Sequence, residues 1–276
     1  MNPSHYKMIV TDLDGTLIPY GSDLVAAETV KVITALQQQG LLFTIATGRS
    51  WRQTKLITDQ LPVFHPVIVQ AGAIVIDPLT GKPLRIQPLR PELEVKLRVI
   101  LDSPHVDQLC LNESGLYYTT KINTKGGSWV LGSGEECCVV SELAPGNQQV
   151  IKHLFIGPEL ELKELITKIK AMDPTPTWIL WPPDDYSEDW FLEVFDPLVS
   201  KGQALTWLVG QLGLTLEQVI AFGDGYNDLD MLRVAGLGVA IDKAPAAVRS
   251  VADTVISGPE SNGVAKFLKE LINSNR

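Results

Sequence analysis

Cysteine is scarce in this chain and poorly placed: Cys110, Cys137 and Cys138 are odd in number, and two are adjacent. They form neither a disulfide framework nor a CxxC pair, which fits a reducing compartment. Long apolar runs are missing as well. No stretch approaches the roughly 18 apolar residues of a membrane span, and the first apolar run stops at Thr11 and Asp12, too short for the core of a signal peptide. Positive charge is in deficit. With 23 Lys and Arg against 32 Asp and Glu, the net charge of −9 denies the basic footprint that nucleic acid or an anionic membrane requires. The four histidines have no ligand spacing, and we find no internal repeat or low-complexity segment. These absences predict a cytoplasmic protein without nucleic-acid or membrane partners; the expected state, which they do not set, is a monomer or weak homodimer.

What is present is ample core material, 45% hydrophobic over 276 residues, enough for two domains of unequal size. The stretch from Met8 to Leu17 begins apolar and ends in two carboxylates, Asp12 and Asp14, followed by the breaker pair Gly15-Thr16. On an extended strand both acids start on one face, and two close acids at a buried strand end are costly without a metal or donors to compensate them. A helix capped by Ser22 or Asp23 and ended by Gly40 follows, then a buried strand over 41–46 that runs into Thr47-Gly48-Arg49-Ser50. Ser50 can cap a helix to about Leu61, and Val67-Ile68-Val69 makes a third strand. Strand and helix in alternation imply a parallel sheet.

The pattern then changes. A hairpin spans 74–87, and short strands and helices mix up to Phe195, with a Gly- and Ser-rich stretch from Lys121 to Pro145 that local pattern leaves unassigned. From Lys201 the α/β alternation returns, with a strand over 219–222 running into Gly223-Asp224-Gly225. The predicted fold is α/β: a Rossmann-like parallel-sheet core from residues 1–83 and 196–276, interrupted by an α+β domain over 84–195. Every polar cluster of note sits at the carboxyl end of a core strand or opens a helix beside it, where open α/β sheets bind ligands.

Asp12-x-Asp14-Gly15-Thr16, Thr47-Gly48-Arg49, Lys201-Gly202 and Gly223-Asp224-Gly225-x-Asn227-Asp228 resemble, in order and strand placement, the four motifs of the haloacid dehalogenase (HAD) superfamily of phosphotransferases. The closing segment, through Gly238-Val239-Ala240 to Asn262-Gly263-Val264, resembles the Cof-type sugar-phosphatase branch. Thirty-five positions separate Asp12 from Thr47 and 154 separate Thr47 from Lys201, so the insert follows the third core strand, where this superfamily carries its C2 cap.

The resemblance implies a phosphatase acting on small phosphorylated metabolites, sugar phosphates foremost, with Mg²⁺ as cofactor. It assigns Asp12 as nucleophile and Asp14 as the group that protonates the leaving oxygen and then activates water. The Asp12 carboxylate, the Asp14 carbonyl and Asp224 would ligate the metal, and Asp228 would bind it through water or orient Lys201. Thr47, Gly48 and Lys201 would hold the phosphoryl group, with Arg49 and Asn227 as further candidates for phosphate or substrate contact. The branch's usual Asn-Gly after the third strand is here Ala71-Gly72, preceded by Gln70. Specificity is expected from the inserted domain, where Trp178, Trp181, Tyr186 and Trp190 surround Pro182-Pro183-Asp184-Asp185. Two rivals share the core: a phosphomutase or phosphotransferase like the phosphomannomutases, and a non-catalytic metabolite-binding protein.

Overall fold

The computed structural model describes residues 5–101, 103–132, 135–143, 148–183 and 188–273. The chain divides into two compact units, Met1–Arg85 with Ser200–Arg276, and Ile86–Val199. The first unit opens with β1 (Met8–Thr11), buried along its whole length. α1 (Ala27–Gln38) begins later than predicted. Ser22 and Asp23 stay outside it because they have other partners: the Ser22 hydroxyl accepts from the Leu24 amide, and Asp23 holds Arg49 with its carboxylate and Gln60 with its carbonyl. β2 (Leu42–Ile45) leads to α2 (Trp51–Thr58), started by a capping box in which Ser50 and Gln53 exchange side-chain-to-backbone bonds. β3 (Val67–Val69) is fully buried. β4 (Ile74–Ile76) and β5 (Pro83–Ile86) form the expected hairpin, closed by the Asp77 amide donating to the Lys82 carbonyl at 2.9 Å.

The second unit contains α3 (Pro91–Arg98), β6 (Asp107–Asn112) and β7 (Tyr117–Thr119). The stretch that sequence pattern left unassigned holds α4 (Lys125–Gly132) and β8 (Cys137–Val139). α4 is glycine-rich and a poor helix by propensity. The buried Asp107 carboxylate secures its approach, accepting from the amides of Asn123 and Thr124 and from the Thr124 hydroxyl. β9 (Val150–Gly157), α5 (Glu159–Met172), β10 (Thr177–Trp181) and β11 (Trp190–Phe195) complete the unit. Its six-stranded sheet runs β10-β11-β9-β6-β7-β8, antiparallel except for β7 with β8. Leu93, Leu97, Phe155, Leu162, Ile169 and Val194 pack in its core. Trp181 donates to Glu193 at 3.0 Å, and Trp178 lies under the Lys170 ammonium. Asp184, Asp185 and Tyr186 lie outside the described residues.

Back in the first unit come α6 (Lys201–Gln211), β12 (Val219–Gly223), α7 (Leu229–Val234), β13 (Leu237–Ile241), α8 (Ala246–Arg249), β14 (Thr254–Ile256) and α9 (Gly263–Asn273). The central sheet runs β14-β13-β12-β1-β2, all parallel. At its β2 edge a single parallel bridge, Ala46 to Ile68, adds β3, which then pairs antiparallel with β4. Met8, Val10, Leu205, Leu208, Ala221 and Met231 belong to one buried cluster. Each large apolar side chain in it contributes about 1.5–3 kcal/mol. β1, from the start of the chain, thus sits between β12 and β2, and the strand-end acids share one edge.

Candidate active site

β1 and β12 run in register, with Thr11 opposite Phe222, and each is followed directly by an acid, Asp12 and Asp224. The Asp12 amide donates to the Phe222 carbonyl at 2.9 Å, which carries the ladder one residue past β1 and sets Asp12 beside Asp224. Beyond Asp12 the chain turns tightly, the amides of Leu17 and Ile18 both donating to the Leu13 carbonyl. Gly15 makes this turn possible. Its φ is +80°, and a Cβ there would lie 2.4 Å from the Tyr20 ring and 2.5 Å from an Asp224 oxygen.

Lys201, the first residue of α6, is 1% exposed. Its ammonium donates to Asp12 Oδ1 and to Asp228 Oδ1, each at 2.6 Å. Asp228 Oδ2 accepts from the amides of Asp224 and Gly225 at 3.0 and 2.8 Å, which fixes the carboxylate that orients Lys201. Asp224 accepts from the Thr16 hydroxyl on Oδ1 and the Tyr20 hydroxyl on Oδ2, both at 2.6 Å. Asn227 sits half-buried inside the short turn between the two acids.

Carboxylate oxygens of Asp12, Asp224 and Asp228 lie within 4.8 Å of one another, and all three residues are buried. Three carboxylates against one ammonium leave a formal charge of −2. Burial pushes the Asp12 carboxyl well above its ordinary value, and the pull of Lys201 does not offset burial together with the repulsion of Asp228 and Asp224. Burial also raises Asp224, against the hydroxyls of Thr16 and Tyr20. Lys201 is held above its ordinary value, because Asp12 and Asp228 outweigh a burial effect of opposite sign. Uncompensated negative charge of this kind, on hard oxygen donors, fits a small divalent cation such as Mg²⁺.

Asp14 does not join this group. Arg49 grips its carboxylate through both oxygens, Nε to Oδ2 at 2.8 Å and Nη2 to Oδ1 at 2.6 Å, and reaches Asp23 and the Ser22 carbonyl with its remaining protons. Thr47 is buried, its hydroxyl accepting from the Arg49 amide at 3.1 Å, and Gly48 lies half-buried between them. The turn after β3 is tied to this segment: the Gln70 amide donates to the Arg49 carbonyl and the Ala71 amide to the Thr47 carbonyl, each at 3.0 Å. Gln70, Ala71 and Gly72 all have positive φ, +50°, +54° and +102°. Such backbone costs on the order of 1–3 kcal/mol for each non-glycine residue. A Cβ on Gly72 would lie 2.2 Å from the Ser200 carbonyl, so the turn needs glycine to approach the start of α6. Gln70 is buried, and its Oε1 has no hydrogen-bond partner among the described residues.

A family model described as haloacid dehalogenase-like hydrolase matches residues 9–268. The chain belongs to the haloacid dehalogenase-like hydrolases. It is 25% identical over 274 residues to 5-amino-6-(5-phospho-D-ribitylamino)uracil phosphatase YitU of Bacillus subtilis, covering 95% of this chain and 96% of that one. It is 26% identical over 269 residues to pyridoxal phosphate phosphatase YbhA of Escherichia coli, covering 95% and 97%. A solved haloacid dehalogenase-like hydrolase from B. subtilis matches with a TM-score of 0.76 at 25% identity, over 96% of this chain and 99% of that one. Family and relatives together make the protein an enzyme, a phosphatase of the haloacid dehalogenase-like kind.

Within this haloacid dehalogenase-like site, four of the residues singled out from sequence meet directly: Asp12, Lys201, Asp224 and Asp228. Asp14 and Arg49 form a second group with Asp23. Sequence reasoning passed over Tyr20, read Ser22 and Asp23 only as helix caps, and gave Thr16 no role of its own. Nothing periodic marks them. The one available signal is that three polar residues crowd a short loop directly behind a strand-end motif.

Proposed function

We propose that this phosphatase hydrolyses small phosphomonoesters, sugar phosphates foremost, through an aspartyl-phosphate on Asp12 and with Mg²⁺ bound. The observation that carries the reading is the buried group of Asp12, Asp224 and Asp228 around Lys201, with its formal charge of −2. Asp12, Asp224 and Asp228 are the residues that would hold the ion, with the Asp14 carbonyl as a further ligand. Bound there, Mg²⁺ would neutralise charge on the transferring phosphoryl group.

The chain's own residues divide the remaining work. A carboxylate oxygen of Asp12 attacks phosphorus while the bond from phosphorus to the leaving oxygen breaks. Asp14 supplies the proton to that oxygen. Asp14 then takes a proton from the water that attacks the aspartyl-phosphate, which frees Asp12 and releases inorganic phosphate. Because Arg49 holds both Asp14 oxygens, that grip opens before Asp14 acts. Lys201 offsets charge on the nucleophile and the phosphoryl group, and Asp228 keeps it aimed at Asp12. Thr47 and the Gly48 amide bind phosphoryl oxygens. The Ile86–Val199 unit selects the substrate. Two full-length relatives named for phosphorylated small metabolites support that substrate class.

A panel of phosphorylated metabolites assayed for phosphate release, with and without Mg²⁺, tests the reading. Turnover of several small esters only with Mg²⁺ is expected. No turnover of any small phosphate ester in the presence of Mg²⁺ would overturn it.

A further inference from the structure

Both oxygens of Asp224 are taken by hydroxyls, and the two donors differ in kind. Thr16 is fully buried, so its position follows from packing. Tyr20 is 69% exposed, and packing of its ring does not explain where its hydroxyl goes. The local backbone admits it nonetheless. The turn from Asp14 to Ile18 brings the chain back on itself, the Gly15 amide donating to the Ile18 carbonyl at 2.8 Å. The missing side chain at Gly15 then leaves room for both the Tyr20 ring and the Asp224 oxygen it reaches.

We propose that Tyr20 is a positioning residue for the divalent cation: its hydroxyl, with that of Thr16, pins the Asp224 carboxylate in the orientation the ion requires. The inference rests on the reading of Asp12, Asp224 and Asp228 as the Mg²⁺ site. Without an ion, these three close carboxylates repel one another, and one held at a single oxygen is free to turn about its Cβ–Cγ bond. Hydroxyl donors on both oxygens remove that freedom through charge-assisted bonds. A phenol gives one proton and leaves Oδ2 a further lone pair with which to ligate. Groups that orient metal ligands in this way typically account for about 10–100-fold in metal affinity.

Tyr20→Phe tests this, because it removes one oxygen and keeps the ring. Mg²⁺ alone is titrated by calorimetry into the metal-free wild type, Tyr20→Phe and Asp224→Asn, and the thermal unfolding of each is recorded without metal. The expected result is a dissociation constant for Mg²⁺ raised about tenfold or more in Tyr20→Phe. Its metal-free unfolding midpoint should stay close to wild type, and activity lost at low Mg²⁺ should return as Mg²⁺ is raised. Equal affinity in wild type and Tyr20→Phe, with binding lost in Asp224→Asn, overturns the role of Tyr20 and leaves the metal site standing. Tighter binding in Tyr20→Phe also overturns it, since the hydroxyl would then compete with the ion. A metal-free midpoint lowered by more than about 5 °C assigns Tyr20 to the fold instead. A wild type that takes up no Mg²⁺ removes the site reading, and the inference with it.

Discussion

Asp12 and Asp14 stand two positions apart and share no side-chain partner: Lys201 holds the first and Arg49 the second. Their substitutions should therefore fail differently. Asp12→Asn should abolish turnover and leave no acid-stable label on the protein after incubation with a ³²P-ester. Asp14→Asn should slow turnover by about 10²–10⁴-fold while a labelled phosphoenzyme still forms. A labelled Asp12→Asn protein would overturn the assignment of the nucleophile. Arg49→Lys gives up the two-pronged hold on Asp14, since an ammonium cannot match a guanidinium fork. We expect about tenfold lower kcat/KM with the Mg²⁺ affinity unchanged, because Arg49 contacts none of the three clustered acids. A large change in Mg²⁺ affinity would show that the two groups are not separable. These acids were legible from spacing alone, because two carboxylates behind an apolar run already demand compensation. Their partners were not. Asp23 read as a helix cap until the fold gave it Arg49, and nothing local marks Tyr20 as a neighbour of a residue 204 positions away.

Among the elements, the ones read well carry their own signals. α5 spans Glu159–Met172 because its apolar positions recur at helical spacing between Pro158 and a non-helical Asp173. α2 starts where Ser50 and Gln53 close a capping box, and Ser50→Ala should lower stability by about 1 kcal/mol in urea unfolding. α4 escaped notice because its support is the distant Asp107 carboxylate rather than its own residues. β9 contributes a pH response through His153, which is fully buried, 2.8 Å from Gln108 and 3.4 Å from the Cys110 thiol, with Glu94 at 3.8 Å and Arg98 bound to that acid. Burial pushes its pKa below the ordinary value against the pull of Glu94. The folded chain then binds fewer protons here than the unfolded chain, so this residue's contribution to stability is lost as pH falls below about 6.5. Melting temperature should drop from pH 7.5 to pH 5.5, and less steeply in His153→Gln. Equal slopes would dismiss His153 as the source.

At the scale of the whole molecule, the two units differ in how they depend on chain continuity. The central sheet places β1 between β12 and β2, so one of its two ladders joins residues about 210 positions apart. Segment 5–85 alone would leave β1 without β12 and Asp12 without Lys201, an unpaired apolar edge and an uncompensated acid together. Ile86–Val199 is continuous, with its own six-stranded sheet and its own buried cluster. Its ladders, β6 with β9 and β9 with β11 among them, close entirely within it. Expressed alone, 86–199 should therefore unfold in urea as one cooperative transition with near-UV circular dichroism from its tryptophans, and should release no phosphate from any ester. Segment 5–85 should show neither cooperative unfolding nor a near-UV signal. If 86–199 behaved as an expanded chain, its fold would depend on the other unit, and the proposed split of chemistry and substrate selection between the two units would lose its physical basis.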